Sequence, residues 1–426
     1  MASSYTSSHV TPAGGNVFAD LGFDAAEAEA LKAASDNVIS LRRAWSLAFL
    51  ARLPLLPKAR VTELIVRTRT VFEKSCRLPG ALSNDVRQSM RAILQSVNAQ
   101  CLLHLDGIAI TPAQIEEARK GQFSDDPAVS AAQHRARAYI EIGTLHSAAV
   151  HSERDALNAH FLAALHKGLS SQFEARGVVD RKEEGEESFR WRDSQFSEIL
   201  ATPSAIGQFV DRASAAYGKL IGIDAVLYTI ASAHNRLACV QPFESLNDEV
   251  IRLQTQCAMG PFSHDGWSIT RGFALTKDEY QELLERSKTQ SDSDALLWDW
   301  CAYFIRVCEE EVDFMTRLLH QDTLGARVYR HLRMVGTPGI DMQRKWISSV
   351  VSHLMVGSST TMDEFLRIVS AESLEEIPWI RRLVADGIFV CGKDTNVMSL
   401  KFPTALHDTL LPGLWLPSSP ALESHD

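Results

Sequence analysis

Apolar residues recur three and four positions apart along most of the chain, the spacing of amphipathic helices rather than of strands. Between residues 86 and 106, Met90, Ile93, Leu94, Val97, Cys101, Leu102 and Leu105 share one stripe and predict a single helix. A stronger stripe, Leu296, Leu297, Trp300, Tyr303, Phe304, Val307 and Cys308, lies in a predicted helix over 293–320. Residues 35–100 read as helical, with breaks at Pro54, Pro57 and Pro79-Gly80. Further helices are expected over 112–121, 128–150, 152–169, 202–217, 248–260 and 276–288. Thr111-Pro112-Ala113-Gln114 is a good helix start: a Thr cap, Pro at the first position, and Gln three residues after the cap. Ser152 and Asp155 repeat the box with Asp for Glu, and Asp224 is placed as the cap of a helix ending near Val240. Trp267 and Arg271-Gly272 are read as a loop.

Near the C-terminus the pattern changes. Helices over 341–356, 361–370 and 373–386 precede two β-like runs, Ile388–Cys391 and Val397–Phe402. That order resembles a winged helix. Glu372, Glu375, Glu376 and Asp386 outnumber Arg381 and Arg382 in the segment that would face DNA, and Pro378 is expected to disturb its helix. A protein-contact or dimerisation module is the expectation, and DNA is not an expected partner.

Composition narrows the classes. The chain has 426 residues, 45% of them hydrophobic, a net charge of -10 and a pI near 5.8, which argues against general nucleic-acid or anionic-membrane binding. Seven cysteines stand without metal-ligand spacing, and no apolar run is long enough to span a bilayer. His160 and His166 are six apart, on different helix faces, and do not form a metal pair. The opening residues are polar and lack an apolar signal core. The expectation is a cytoplasmic protein.

The candidate chemistry lies in Gln241-Pro242-Phe243-Glu244-Ser245-Leu246-Asn247-Asp248-Glu249-Val250-Ile251-Arg252, a turn between two helical patterns. A helix N-terminus behind a tight turn presents free N–H groups, a common place to hold phosphate. The stretch resembles the signature HPFx(D/E)GNGRxxR of the Fic (fido) family of protein AMP-transferases, a resemblance that implies a bacterial source. Pro242, Phe243, Asn247 and Arg252 keep the frame. The resemblance extends from about residue 86 to 325. Leu102, Asp106 and Gly107 resemble the family's inhibitory helix, (S/T)xxxE(G/N), whose Glu reaches a phosphate-binding Arg. Asp106 is one methylene shorter and Leu102 cannot hydrogen-bond, which implies a weakened contact; a plain helix end with Gly107 after the cap is the other reading. Phe189 to Phe196, with Arg190, Trp191, Gln195 and Phe196, resembles the family's flap, which aligns a target peptide by strand addition.

The resemblance implies a mainly α fold. It would comprise an N-terminal arm over 1–40, a helical region with the inhibitory-type helix over 41–120, a fido core with a β-hairpin flap over 121–330, a winged-helix module over 331–415 and a tail over 416–426. In the family a His takes the target hydroxyl's proton, an Asp or Glu holds magnesium, Gly-Asn-Gly forms an anion nest, and two arginines clamp the phosphates. Here Gln241 replaces the base, and a carboxamide has no usable basicity near neutral pH; losing a general base typically costs about 10²–10⁴-fold in rate. Ser245 replaces the metal ligand, with Glu244 beside it as the possible rescue. Leu246 and Asp248 replace the nest glycines; Leu246 is expected to block the inward-pointing backbone, leaving Asn247 as a helix cap. Glu249 replaces the first arginine, turning a clamp into a repulsive charge. His234, two turns before Gln241 and roughly 10 Å away, is read as a core histidine rather than a substitute base.

Three readings follow. The favoured one is an inactive Fic relative that binds a protein target, an active Fic partner or a second copy of itself as a homo-oligomer, with no cofactor. The second is a transferase with another base or donor, which alone would require ATP and magnesium. The third is a winged-helix DNA-binding regulator.

Overall fold

A computed structural model describes residues 58–80, 82–177, 223–243, 245–289, 294–357, 360–370, 377–392 and 396–417, with a helical turn at 25–29. The expected flap at 189–196, the helix over 202–217, Glu244, the three glutamates of 372–376 and most of the N-terminal arm lie outside these residues.

Helices dominate. In chain order they are α1 (Lys58–Gly80), α2 (Asn84–Leu105), α3 (Pro112–Arg119), α4 (Pro127–Ser147), α5 (Glu153–Ala156), α6 (Ala159–Ala175), α7 (Ile223–Val240), α8 (Asn247–Ser263), α9 (Ile269–Leu275), α10 (Lys277–Thr289), α11 (Asp294–Leu318) and α12 (Gln321–Met334). Then come α13 (Arg344–Val356), β1 (Thr360–Thr361), α14 (Met362–Val369), α15 (Pro378–Ala385), β2 (Phe389–Cys391), β3 (Val397–Leu400) and α16 (His407–Leu410). The strands form one antiparallel sheet in the order β1-β3-β2, with Thr360 opposite Met398 and Phe389 opposite Leu400. No described helix is long and apolar enough to cross a membrane.

Helix α8 is the axis. It is buried on nearly every side, from Val250 through Met259, and packs against α4, α5, α6 and α7. A helix buried all round must satisfy its polar side chains internally. Gln254 does so by donating to the Ala156 carbonyl, and Thr255 by bonding His234 Nδ1 at 2.7 Å. Beside it, the stripe of α11 buries Trp300, Phe304, Val307 and Cys308 against α7 and α9. Trp300, Phe273 and Tyr280 surround His234. Each fully buried large apolar side chain contributes about 1.5–3 kcal/mol.

Several expected boundaries hold for visible reasons. The Thr111–Gln114 box forms both of its bonds. Asp155 accepts from the backbone of His151 and Ser152. Others are corrected. The helix expected over 152–169 breaks at Leu157, because the Asn158 side chain caps a new helix at Phe161 N. Arg271 and Gly272 lie inside α9, where a methyl on Gly272 would stand 2.1 Å from Val307; the glycine permits close helix packing. Asp224 lies within the first turn of α7 rather than before it. Pro378 occupies the first turn of α15, where its missing N–H costs nothing. Leu416, expected in the tail, is buried and donates its amide to Gln100 Oε1. The Arg271 guanidinium bonds Glu311 and the carbonyls of Gly413 and Leu414, over the Phe314 ring.

Candidate functional site

The turn between α7 and α8 is held by His166 of α6 and by Asn247 of α8. Phe243 is fully buried and stacks on the His166 ring of α6 at 4.2 Å. The same ring places Nε2 3.2 Å from the Ser245 carbonyl. Asn247 accepts from Phe243 N at 2.8 Å and donates to Phe243 O at 2.7 Å, closing the turn on itself. Asn247 is therefore a staple inside the helix rather than its cap; the N-cap position belongs to Leu246, which makes no side-chain cap bond. Both Gln241 (φ 46°) and Leu246 (φ 59°) adopt the left-handed region. That region costs a non-glycine residue roughly 1–2 kcal/mol. The expectation that Leu246 blocks the glycine-type backbone is thus corrected: leucine adopts it, held by Phe243, His166 and Asn247.

One turn into α8, Arg252 is buried, and its Nη1 donates to Asp106 Oδ1 at 2.7 Å. Asp106 is the C-cap of α2, and Gly107 follows it in the left-handed conformation (φ 79°). The shorter carboxylate still reaches, because the helix end itself approaches: Arg252 Nη1 also lies 3.4 Å from the Leu102 carbonyl of α2. The contact expected to be weakened is formed. Tyr139 of α4 donates to the other Asp106 oxygen at 3.2 Å. Asp248 stands 3.9 Å from Arg252 across one helical turn.

Glu249 completes the group. Burial, and then the negative charge of Asp106, raise its pKa above the ordinary carboxylate range, while a bond from its own backbone N–H pulls the other way. Burial and Asp106 likewise push the Tyr139 hydroxyl well above its usual value. Among the described residues Arg252 thus stands with three carboxylates, and two first-turn carboxylates occupy the helix N-terminus where an incoming anion would bind. These residues do not fit a magnesium–nucleotide. Ser245 offers an exposed neutral hydroxyl, Gln241 offers no base, and the surviving arginine is already paired. No group of three His, Cys, Asp or Glu among the described residues could hold a metal ion.

The structure brings Gln241, Ser245, Leu246, Asn247, Asp248, Glu249, Arg252, Asp106 and Gly107 into one region. It says nothing of Arg190, Trp191, Gln195, Phe196 or Glu244. His234 is buried, bonded to Thr255 and to Tyr280 at 3.1 Å, and its pKa is lowered to about 3 by burial and by the Arg252 charge. His166 and Tyr139 were missed as site residues. Nothing in local spacing marks them; only the packing of α4 and α6 on α8 brings them in.

No family description matches the chain, and no curated protein matches it. Among solved structures, the chain is similar to a Fic family protein from Desulfovibrio desulfuricans G20, at 12% identity and a TM-score of 0.46. The likeness covers 83% of this chain and 99% of that one. At that level it carries neither family nor activity across.

Proposed function

We propose that the chain is a Fic-like scaffold that acts by binding another protein and does not transfer a nucleotide. The observation that carries this reading is the Arg252–Asp106 pair at 2.7 Å, with Asp248 and Glu249 beside it. A triphosphate brought to the turn would meet net negative charge. At roughly 4–5 Å each added like-charge contact costs on the order of 1–4 kcal/mol, depending on local dielectric. With glutamine at the base position, a bound donor would still have no proton acceptor. A cytoplasmic partner of the same class, either a protein substrate or an active Fic protein, suits a scaffold that keeps its turn but not its chemistry.

The order helix, strand, helix, helix, strand, strand over 344–400 supports a winged-helix reading of that part. Arg382, one of its two exposed cations in α15, is held by Asp386 at 2.9 Å, which favours a protein contact over DNA.

Labelling with radioactive ATP and magnesium tests the proposal. The native chain is expected to label neither itself nor added proteins. A variant carrying Gln241→His, Ser245→Asp, Leu246→Gly, Asp248→Gly and Glu249→Arg, together with Asp106→Ala to release Arg252, is expected to regain nucleotide binding. Labelling by the native chain would overturn the reading, and salt-dependent DNA binding would favour the regulator instead.

A further inference from the structure

The other half of α8 borders a second site. A cleft of 480 Å³ opens between α2, α4 and the C-terminal half of α8. Gln256, which lines it, lies about 13 Å by helical rise from Asn247, so the cleft is distinct from the turn. Three carboxamides converge there, Gln95 and Asn98 from α2 and Gln256 from α8.

Their hydrogen-bonding capacity is largely unspent. Gln256 Oε1 is buried with no partner, and the Gln95 amide makes no bond among the described residues. Asn98 Oδ1 accepts from Ser268, leaving its amide N–H₂ open. Gln256 lies close against α4, where a methyl on Gly143 would stand 3.7 Å from its Nε2. The same three amides line a smaller void of 10 Å³ with Tyr139, at or below the roughly 10–15 Å³ that one water needs. Leaving a buried carbonyl unsatisfied costs about 1–3 kcal/mol, and native proteins rarely tolerate it without a use.

Two further features define what would fit. Trp267 lines the cleft with its indole N–H turned to Ser75, so it offers the site apolar carbon rather than a donor. The cleft's opposite charges, Arg91 and Asp265, are bonded to each other and cancel. Asp265 and its neighbour His264 are both left-handed non-glycine residues (φ 53° and 50°), a conformation that the surroundings must over-determine. From the geometry we infer a binding site for a small, flat, uncharged molecule carrying an amide or lactam edge, which presents a donor and an acceptor side by side. Its edge pairs with the carboxamides and its ring lies on Trp267.

The inference is independent of the proposed function, and the full chain can be tested directly. Nicotinamide and uracil serve as neutral probes and nicotinate as the charged counterpart, read by calorimetry and ligand-observed NMR. Nicotinamide or uracil is expected to bind saturably, with nicotinate at least about tenfold weaker. Gln256→Leu and Gln95→Leu are each expected to weaken binding about tenfold, the effect of one lost hydrogen bond of ordinary strength. Gln95 is half-buried on α2, so its variant decides the matter if the Gln256 variant does not fold. No binding of either neutral probe at millimolar concentration would overturn the inference. So would equal binding of nicotinate, or unchanged binding by the folded variants.

Discussion

Two buried arginine–carboxylate pairs organise this molecule, and they are built differently. Arg271 meets Glu311 at 2.6 Å with both side chains about 5% exposed, and the remaining guanidinium donors go to the carbonyls of Gly413 and Leu414. Arg252 meets Asp106 at a similar 2.7 Å, but Asp248 and Glu249 stand beside it and its Nε makes no bond among the described residues. The first is one cation for one anion, with each guanidinium nitrogen bonded, though Glu311 Oε2 makes no bond among the described residues. The second is one cation among three anions with a donor unspent. The difference is one of local charge: the first pair is balanced, the second carries an excess of carboxylate.

Substitution sharpens the contrast, beginning with the largest effect. Arg271→Met leaves Glu311 buried without its partner and should cost about 3–5 kcal/mol in denaturant unfolding. Adding Glu311→Leu should recover most of that loss, since an apolar replacement of a buried pair is often near neutral. If the double variant is as unstable as the single one, the reading of a balanced pair fails.

Arg252→Met should cost about 1–3 kcal/mol at neutral pH, with a pH dependence set by Glu249. Glu249 already has a raised folded-state pKa, and removing the Arg252 charge, which lowers it, raises it further. A group raised on folding lends stability that is fully present below its unfolded pKa and lost as pH rises through the folded value. The deficit of this variant should therefore grow between about pH 4.5 and neutrality. A flat deficit across that range would show that Glu249 does not sense Arg252.

His234 gives a pH effect of opposite sign. Its folded pKa is depressed to about 3, so its contribution is full above the unfolded value near 6.5 and is lost as pH falls toward 3. The native chain should lose up to about 1.4 kcal/mol per pH unit from this group across that window. His234→Gln should be less stable at neutral pH, having lost the present geometry to Thr255 and Tyr280, yet show a shallower acid slope. An unchanged slope in urea melts at several pH values would reassign the effect. Smallest is Leu246→Gly: relief of the left-handed strain and loss of leucine packing offset one another, and the net change should stay within about 1 kcal/mol.

How much of this the sequence disclosed follows from the range of each interaction. Local codes were legible: the α2 stripe, the Thr111–Gln114 box and the α11 stripe all reappear. Helix α12 was not foreseen, because its buried face includes Arg327 and His331 among only three large apolar residues, Leu324, Val328 and Leu332. Strand β1 has two residues and exists only by pairing with β3. At the site, residue identities in 241–252 were readable, but the reach of Asp106 was not. Side-chain length argued for a weak contact, and the approach of the α2 end to α8 overrode it. Leu246 failed for a related reason: conformational preference is a local cost of a kcal/mol or two, and the surrounding packing outweighs it.

The stretch 413–416 threads back into the helical body, gripped by Arg271 at two carbonyls and by Gln100 at the Leu416 amide. Anyone shortening this protein from its far end has a hard stop there. A cut upstream of Gly413 would strip acceptors from a buried guanidinium and remove the buried Leu414, Trp415 and Leu416 at once, whereas an affinity handle attached beyond 417 leaves these bonds in place.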